Sequence, residues 1–463
     1  MAGAWALFGV SVETTALAMA VLQGVIAISI YATARRLRVD TWLSASAALL
    51  HLSLAWPAWP MASGHWFGEL FLMLVLYVLA RSTSDRPRSL SNLAMAGACA
   101  GMYIAVQYQK GIPVAVGLLA LTVIERWLPS IPGRPRLPLP WALGIIAASS
   151  TAVSFVLVAP HLARAGLDQL IDQFVGTVSG YGEINQIGWG GVPQGVKILA
   201  ESTVAGAFAY MPVLVVLGVV RAVSAHRRGD LSELRKLALL CVYSSFAALA
   251  TGYRADFIHL AFISAPFFVF AAETAQWLWR LARRPQMERI VTIVLFVAVL
   301  VGSIDHLARV ADRRQERFAY STMTPFGRVS FWSRREVALI RRTLAAMDEL
   351  STRELFCYPA CASIYLLADA ENPTPYDLVF YPSVHSREHV DDILQTLDRR
   401  EIDYVMVQGI PAKRDPVIRY IEQHYARVRT KDGRTVPLYR RKSQRTGKAT
   451  GLENGHGKRS GAP

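Results

Sequence analysis

VETTALAMAVLQGVIAISIYATARRLR, residues 12–38, is apolar over the length that crosses hydrocarbon and ends in Arg35, Arg36 and Arg38. The same grammar recurs along the chain. Arg81, Arg86 and Arg88 follow the third apolar run, and Arg126, Arg134 and Arg136 the fifth. Arg221, Arg227 and Arg228 follow the seventh, and Arg280, Arg283 and Arg284 the ninth. The turns between these clusters carry His65, Glu69, Lys110, Asp168, Glu183, Arg254 and Asp256, with no basic cluster among them. Lys and Arg accumulate on the cytoplasmic side of membrane spans. The pattern therefore predicts a mostly α, polytopic membrane helical bundle and orients it.

About ten spans are expected, at 13–34, 41–60, 66–81, 90–108, 111–127, 140–160, 204–223, 236–252, 258–280 and 288–306. A chain of 463 residues that is 53% hydrophobic and carries this many apolar runs is unlike a soluble protein. The net charge of +15 does not indicate nucleic acid. Its arginines sit at span ends, where they set topology and meet anionic lipid. Cys99 and Cys241 lie in apolar runs and read as packing residues; Cys357 and Cys361, in CYPAC, would need particular geometry to pair. The N-terminus has no basic n-region and no cleavage site. Alternation of the spans puts Met1 outside, which suggests a preceding span that this sequence lacks.

Residues 1–306 form the expected membrane domain. The long outer loop, 161–203, opens with HLARAGLDQLIDQFVGTV, whose helical spacing of apolar residues reads as an amphipathic helix, on the membrane surface or packed on the protein. A small α/β domain is expected over 307–442 on the outer face. It would have strands at ELFCYP, YDLVFYP and IDYVMVQ, helices at 333–350, 386–399 and 414–424, and a further edge strand at TVPLYRR. The basic tail, 443–463, reads as disordered.

Ionisable groups near spans are costly and so are functional candidates. Four outer-face places qualify: His65, Trp66 and Glu69; Gln107, Gln109 and Lys110; the 181–189 segment with Tyr181, Glu183 and Trp189; and Arg254, Asp256 and His259. Each has a plainer reading. Glu69 and Lys110 could snorkel to water, Arg254 and Asp256 could pair at a helix start, and His259 could simply pack. Taken together they offer cations for a phosphate, a carboxylate base and aromatic faces for a sugar ring. The sequence calls for no metal and no cofactor: it has no ligand spacing, no P-loop and no dinucleotide fingerprint.

In order and orientation these segments resemble the GT-C glycosyltransferases, membrane enzymes that use polyprenyl-phosphate sugars. Residues 7–37 resemble the span that follows the family's first outer loop. GHWFGELFLMLVLYVLAR (64–81) resembles the segment bearing a second acidic residue, here Glu69. AGACAGMYIAVQYQKGIPVAVGLLAL (96–121) resembles the double span with its lysine, here Lys110. YRADFIHLAFISAPFFVFAA (253–272) resembles a late span, here with His259 and Pro266, and SIYLLADAENPTPYD (363–377) resembles part of the outer-face domain of bacterial envelope-modifying members. The family's main catalytic acid lies in the first outer loop, before the point where this sequence begins. Glu13 does not inherit that role.

The resemblance implies transfer of a sugar from a polyprenyl phosphate to an envelope glycan, lipid or protein, on the periplasmic face of a bacterial inner membrane. Lys110 and Arg254 would hold the phosphate, Glu69 and His259 would serve the chemistry, and Trp66, Tyr181, Glu183 and Trp189 would line the sugar site. Membrane lipids are the other expected partners. The competing expectation is a non-catalytic membrane protein: a glycolipid transporter or flippase, or an inactive fragment.

Overall fold

The computed structural model describes residues 2–58, 62–81, 89–128, 137–171, 210–251, 257–281, 285–324, 326–331, 333–349, 352–359, 362–376, 379, 381, 385–408, 415–429 and 435–442. They fall into two compact units, Met1–Ala319 with Phe326–Val329, and Tyr320–Pro325 with Ser330–Pro463.

The first unit is helical: α1 (Ala2–Phe8), α2 (Val12–Arg36), α3 (Thr41–Leu50), α4 (Gly64–Ala80), α5 (Leu90–Val106), α6 (Tyr108–Trp127), α7 (Leu139–Ala165), α8 (Leu167–Ile171), α9 (Tyr210–Arg227), α10 (Leu231–Leu249), α11 (Phe257–Ala261), α12 (Ala265–Leu281) and α13 (Pro285–Arg317). Polar caps start them where the apolar runs start. Ser11, Asp40, Ser63, Ser89 and Asp230 each accept a hydrogen bond from a first-turn N–H of α2, α3, α4, α5 and α10.

Helices fall on the described parts of the expected apolar runs, and among the described residues four are by themselves long and apolar enough to cross a membrane: Val12–Arg36, Leu139–Arg164, Tyr210–Arg227 and Ile290–Glu316. Interruptions shorten others. The 41–60 run bends from α3 into a π-helical turn, His51–Ala55, and a 3-10 turn, Trp56–Ala58. The 258–280 run breaks between α11 and α12. At the other extreme, α13 continues to Arg317, past the boundary expected at 306. Of the amphipathic segment 161–178, the first residues continue α7 and Leu167–Ile171 forms α8; from 172 it lies outside the described residues.

Close backbone approach holds α5 against α7. A Cβ on Gly97 would lie 2.1 Å from Ser149 Oγ, and one on Gly101 2.4 Å from the Ser150 carbonyl. The Ser154 hydroxyl donates to the Gly101 carbonyl at 2.9 Å. Small residues four apart allow this in an apolar bundle, where helix contact depends on packing and interhelical hydrogen bonds.

Arg221 of α9 and Glu273, midway along α12, meet the first turns of α10 in an ionic clasp. Buried Arg221 donates to both oxygens of Glu273, at 2.7 and 2.8 Å, and to Glu233 at 2.5 Å. Lys236 reaches Glu233 and Glu273, each at 2.6 Å. The Arg221 guanidinium also lies 4.5 Å from the centre of the Trp277 ring.

In the second unit, β3 (Phe356–Tyr358) runs parallel to β4 (Tyr404–Val407), and β6 (Thr435–Arg441) is antiparallel to both β4 and β5 (Tyr425–Arg429). The order β3-β4-β6-β5 makes TVPLYRR an interior strand rather than the expected edge. Alternation along the strands feeds two cores. Phe356, Tyr358, Val405 and Val407 pack with Val390 and Ile393 of α16 (Arg387–Arg399) and Val417 of α17 (Pro416–His424). Cys357, Tyr404, Met406 and Leu438 pack with Met347 of α14 (Arg334–Asp348) and Ile364 of α15 (Ala362–Leu367). Strands buried on both faces suit an α/β layer arrangement. Asp415 caps α17 and accepts the Tyr358 hydroxyl; burial, reinforced by that carboxylate, pushes the hydroxyl well above the usual tyrosine range. Cys357 is disulfide-bonded. The strand expected at 376–382 falls largely outside the described residues, as does the tail 443–463. Two further short strands, β1 (Tyr320–Thr324) and β2 (Gly327–Phe331), form a two-stranded sheet.

Candidate functional site

Six of the sequence-predicted residues come together: His65, Trp66, Glu69, Gln107, Lys110 and His259. The first turns of α4 carry His65, Trp66 and Glu69, all set by the Ser63 cap. The chain reverses at Gln107, whose carbonyl accepts from the Lys110 and Gly111 N–H groups and so aims the first turn of α6 back at α4. This turn is tight: a Cβ on Gly111 would lie 2.4 Å from the Ile104 nitrogen. Lys110 Nζ then reaches His65 Nδ1 at 3.3 Å, and the Gln107 amide contacts the same nitrogen. Phe262, between α11 and α12, closes the arrangement. It stacks on His65 with ring centres 4.3 Å apart, meets Trp66 edge-on at 4.6 Å and lies 4.9 Å from the Lys110 ammonium. His259 on α11 is 5.4 Å from His65, centre to centre.

Glu69 is fully buried, one turn deeper. Its Oε1 accepts the Ala265 N–H at 3.1 Å and thereby caps α12 from another helix. A carboxylate is favoured at a helix N-terminus, so this bond accounts for half of the side chain. Its other oxygen, Oε2, has no hydrogen-bond partner among the described residues. Beside it stands a residue that the reading of span mouths misses. His51 opens the π-helical turn, is fully buried, and holds Nδ1 3.9 Å from Glu69 Oε1. Gln23, midway along α2, accepts from His51 Nε2 at 2.9 Å. The signal was available: His51 is an ionisable residue inside an apolar run, and such residues are candidates by default.

Trp66, Glu69, Lys110 and His259 thus share one neighbourhood. Arg254, Tyr181, Glu183 and Trp189 lie outside the described residues. Among the described residues no group of three His, Cys, Asp or Glu could hold a metal ion. Chemically, the neighbourhood offers a buried cation against aromatic faces, an imidazole touching that cation, and a carboxylate whose outer oxygen is uncommitted. Such a set can neutralise an anionic group and accept a proton. Compared with known proteins, the chain matches no family model and no curated protein.

Proposed function

We propose that this chain is an integral membrane glycosyltransferase of GT-C type, with about ten spans, that takes its sugar from a polyprenyl phosphate. The observation that carries the reading is Lys110. A fully buried ammonium beside His65 and the Phe262 ring, at one end of an apolar bundle, is suited to a phosphate whose lipid tail lies between helices. Lys110, with Arg254, neutralises the phosphate and the charge that grows on it as the glycosidic bond breaks. Glu69 takes part as a carboxylate near the reacting centre, His259 orients substrate, and Trp66, Tyr181, Glu183 and Trp189 border the sugar. The acceptor is an envelope glycan, lipid or protein. The positive-inside pattern supports a bacterial inner membrane location with the site and the second unit on the periplasmic face.

The test is binding and turnover by the full chain in lipid nanodiscs, with a polyprenyl phosphate and its sugar conjugates as probes. Lys110→Ala should lose polyprenyl-phosphate binding by at least tenfold and abolish transfer; wild-type values in that variant would remove the assignment. One observation favours a second reading, a glycolipid carrier. Trp66, Glu69, Lys110 and His51 are all fully buried, so a substrate enters only if helices move apart, and carriers work by such movement. Lipid translocation without sugar transfer would establish it.

A further inference from the structure

The pair formed by His51 and Glu69 requires something between them. Gln23 Oε1 can only accept, so His51 Nε2 carries the hydrogen of that 2.9 Å bond. In a neutral imidazole, Nδ1 is then a bare lone pair, and it faces a carboxylate 3.9 Å away. The facing oxygen already accepts the Ala265 N–H, and the Ser264 side chain also bonds the carboxylate, but neither gives a donor to Nδ1, which lacks a partner among the described residues. Both side chains are fully buried, where an unsatisfied polar group is costly. We infer that His51 and Glu69 hold one proton between them, making a protonation site in the middle of the bundle.

The proton resides on the carboxyl, donating to Nδ1, or on Nδ1 as an imidazolium paired with the carboxylate. Either form turns the opposed acceptors into a donor–acceptor pair. Depth supports a role beyond packing. From Glu69 to Ala80 at the inner end of α4 is about 16 Å at 1.5 Å per residue, roughly half the thickness of a hydrocarbon core. The charged group that acts on the pair is Lys110 on α6, whose charge reaches Glu69; Lys110 in turn touches His65 on α4, and His259 on α11 lies against His65. The proton and the Lys110 charge therefore act on the same carboxylate. Binding of an anion at Lys110 would withdraw that cation's influence and tighten the pair's hold on its proton. The inference does not rest on glycosyl transfer: a transferase could use the pair as its base, and a carrier could use it to couple passage to proton flow.

The test uses full-length protein in nanodiscs, labelled with 15N-histidine, with imidazole resonances assigned through His51→Gln and the carboxyl infrared band assigned through Glu69→Gln. At neutral pH the expected result is either a doubly protonated His51 or a protonated Glu69 carboxyl. In His51→Gln the titration midpoint of Glu69 should move by about one pH unit or more, as for coupled sites. Should His51→Gln fail to fold, Gln23→Met, which frees Nε2, should shift the His51 resonances. A neutral His51 beside an ionised Glu69, in either tautomer, overturns the proposal. So does a Glu69 midpoint indifferent to His51, or His51 resonances indifferent to Gln23.

Discussion

The bundle buries charge in two places and treats it in opposite ways. In the clasp of Arg221, Glu233, Lys236 and Glu273, two cations meet two carboxylates, and both oxygens of Glu273 are bonded. A single group there, Arg221 Nε, lacks a partner among the described residues. Around Glu69 the balance is reversed. Glu69 Oε2, His51 Nδ1, Gln23 Nε2 and Gln107 Oε1 are all buried without hydrogen-bond partners among the described residues. Burial of polar atoms costs free energy unless they are paired, so a stable fold keeps the first arrangement for strength. The second is retained only if something else, a proton or a ligand, completes it. The difference separates a structural charge cluster from a candidate site more sharply than burial does, since both are buried.

The strongest way to break this contrast is to remove Arg221. Arg221→Ala strands Glu273 with Lys236 alone and should cost about 3–5 kcal/mol of unfolding free energy, the usual penalty for breaking a buried pair. Denaturant titration of the protein in mixed micelles measures it. Replacing the pair together, Arg221→Met with Glu273→Leu, should recover most of that loss, because no buried charge is left unmatched. If the double variant is as weak as the single one, the clasp does more than match charges.

Much of this organisation is legible in the sequence because bilayer physics writes it in one dimension. Apolar runs give helices; the strands at Phe356–Tyr358 and Tyr404–Val407 and the helix Arg387–Arg399 are equally local. What is not legible depends on long-range pairing. Arg221 reads as a topology signal, and nothing near it announces Glu273 as its partner. TVPLYRR reads as a strand, but of the two neighbours that make it interior only β5 is local; β4 comes from earlier chain, beyond α17. Of the site, Trp66, Glu69, Lys110 and His259 were visible because they stand at turns. His51 sits inside a run, and its exposure to Glu69 depends on a π-helical turn that no Gly or Pro precedes. The register of α4 on α5 is likewise set by contacts and not by pattern.

That register gives the next prediction. The unpaired groups around Glu69 are held by steric fit rather than by ions. A Cβ on Gly68 would lie 2.4 Å from Tyr103 Cε2 and 3.3 Å from Gln107 Oε1. Tyr103 is fully buried and cannot step aside. Gly68→Ala should therefore destabilise the bundle by about 1–3 kcal/mol, the cost of overpacking. Gly24 on α2 has open space around its Cβ position and is the control. Gly24→Ala should be neutral or stabilise by about 0.5–1 kcal/mol, because it only removes backbone freedom within a helix.

The smallest expected effect is the most discriminating. Glu69→Gln keeps a carbonyl oxygen for the Ala265 N–H and so retains the cap on α12. It replaces the uncommitted Oε2 with an amide, which brings a hydrogen to a neighbourhood in which His51 Nδ1 has none to accept. Stability should change by less than about 1 kcal/mol, within the net worth of one hydrogen bond. Function should nevertheless be lost, because an amide neither holds nor releases a proton. Stability and activity therefore separate at Glu69, whereas at Arg221 they fall together. A loss at Glu69→Gln as large as at Arg221→Ala would mean that its negative charge is already matched in the fold, and the two regions would then be two clasps rather than a clasp and a site.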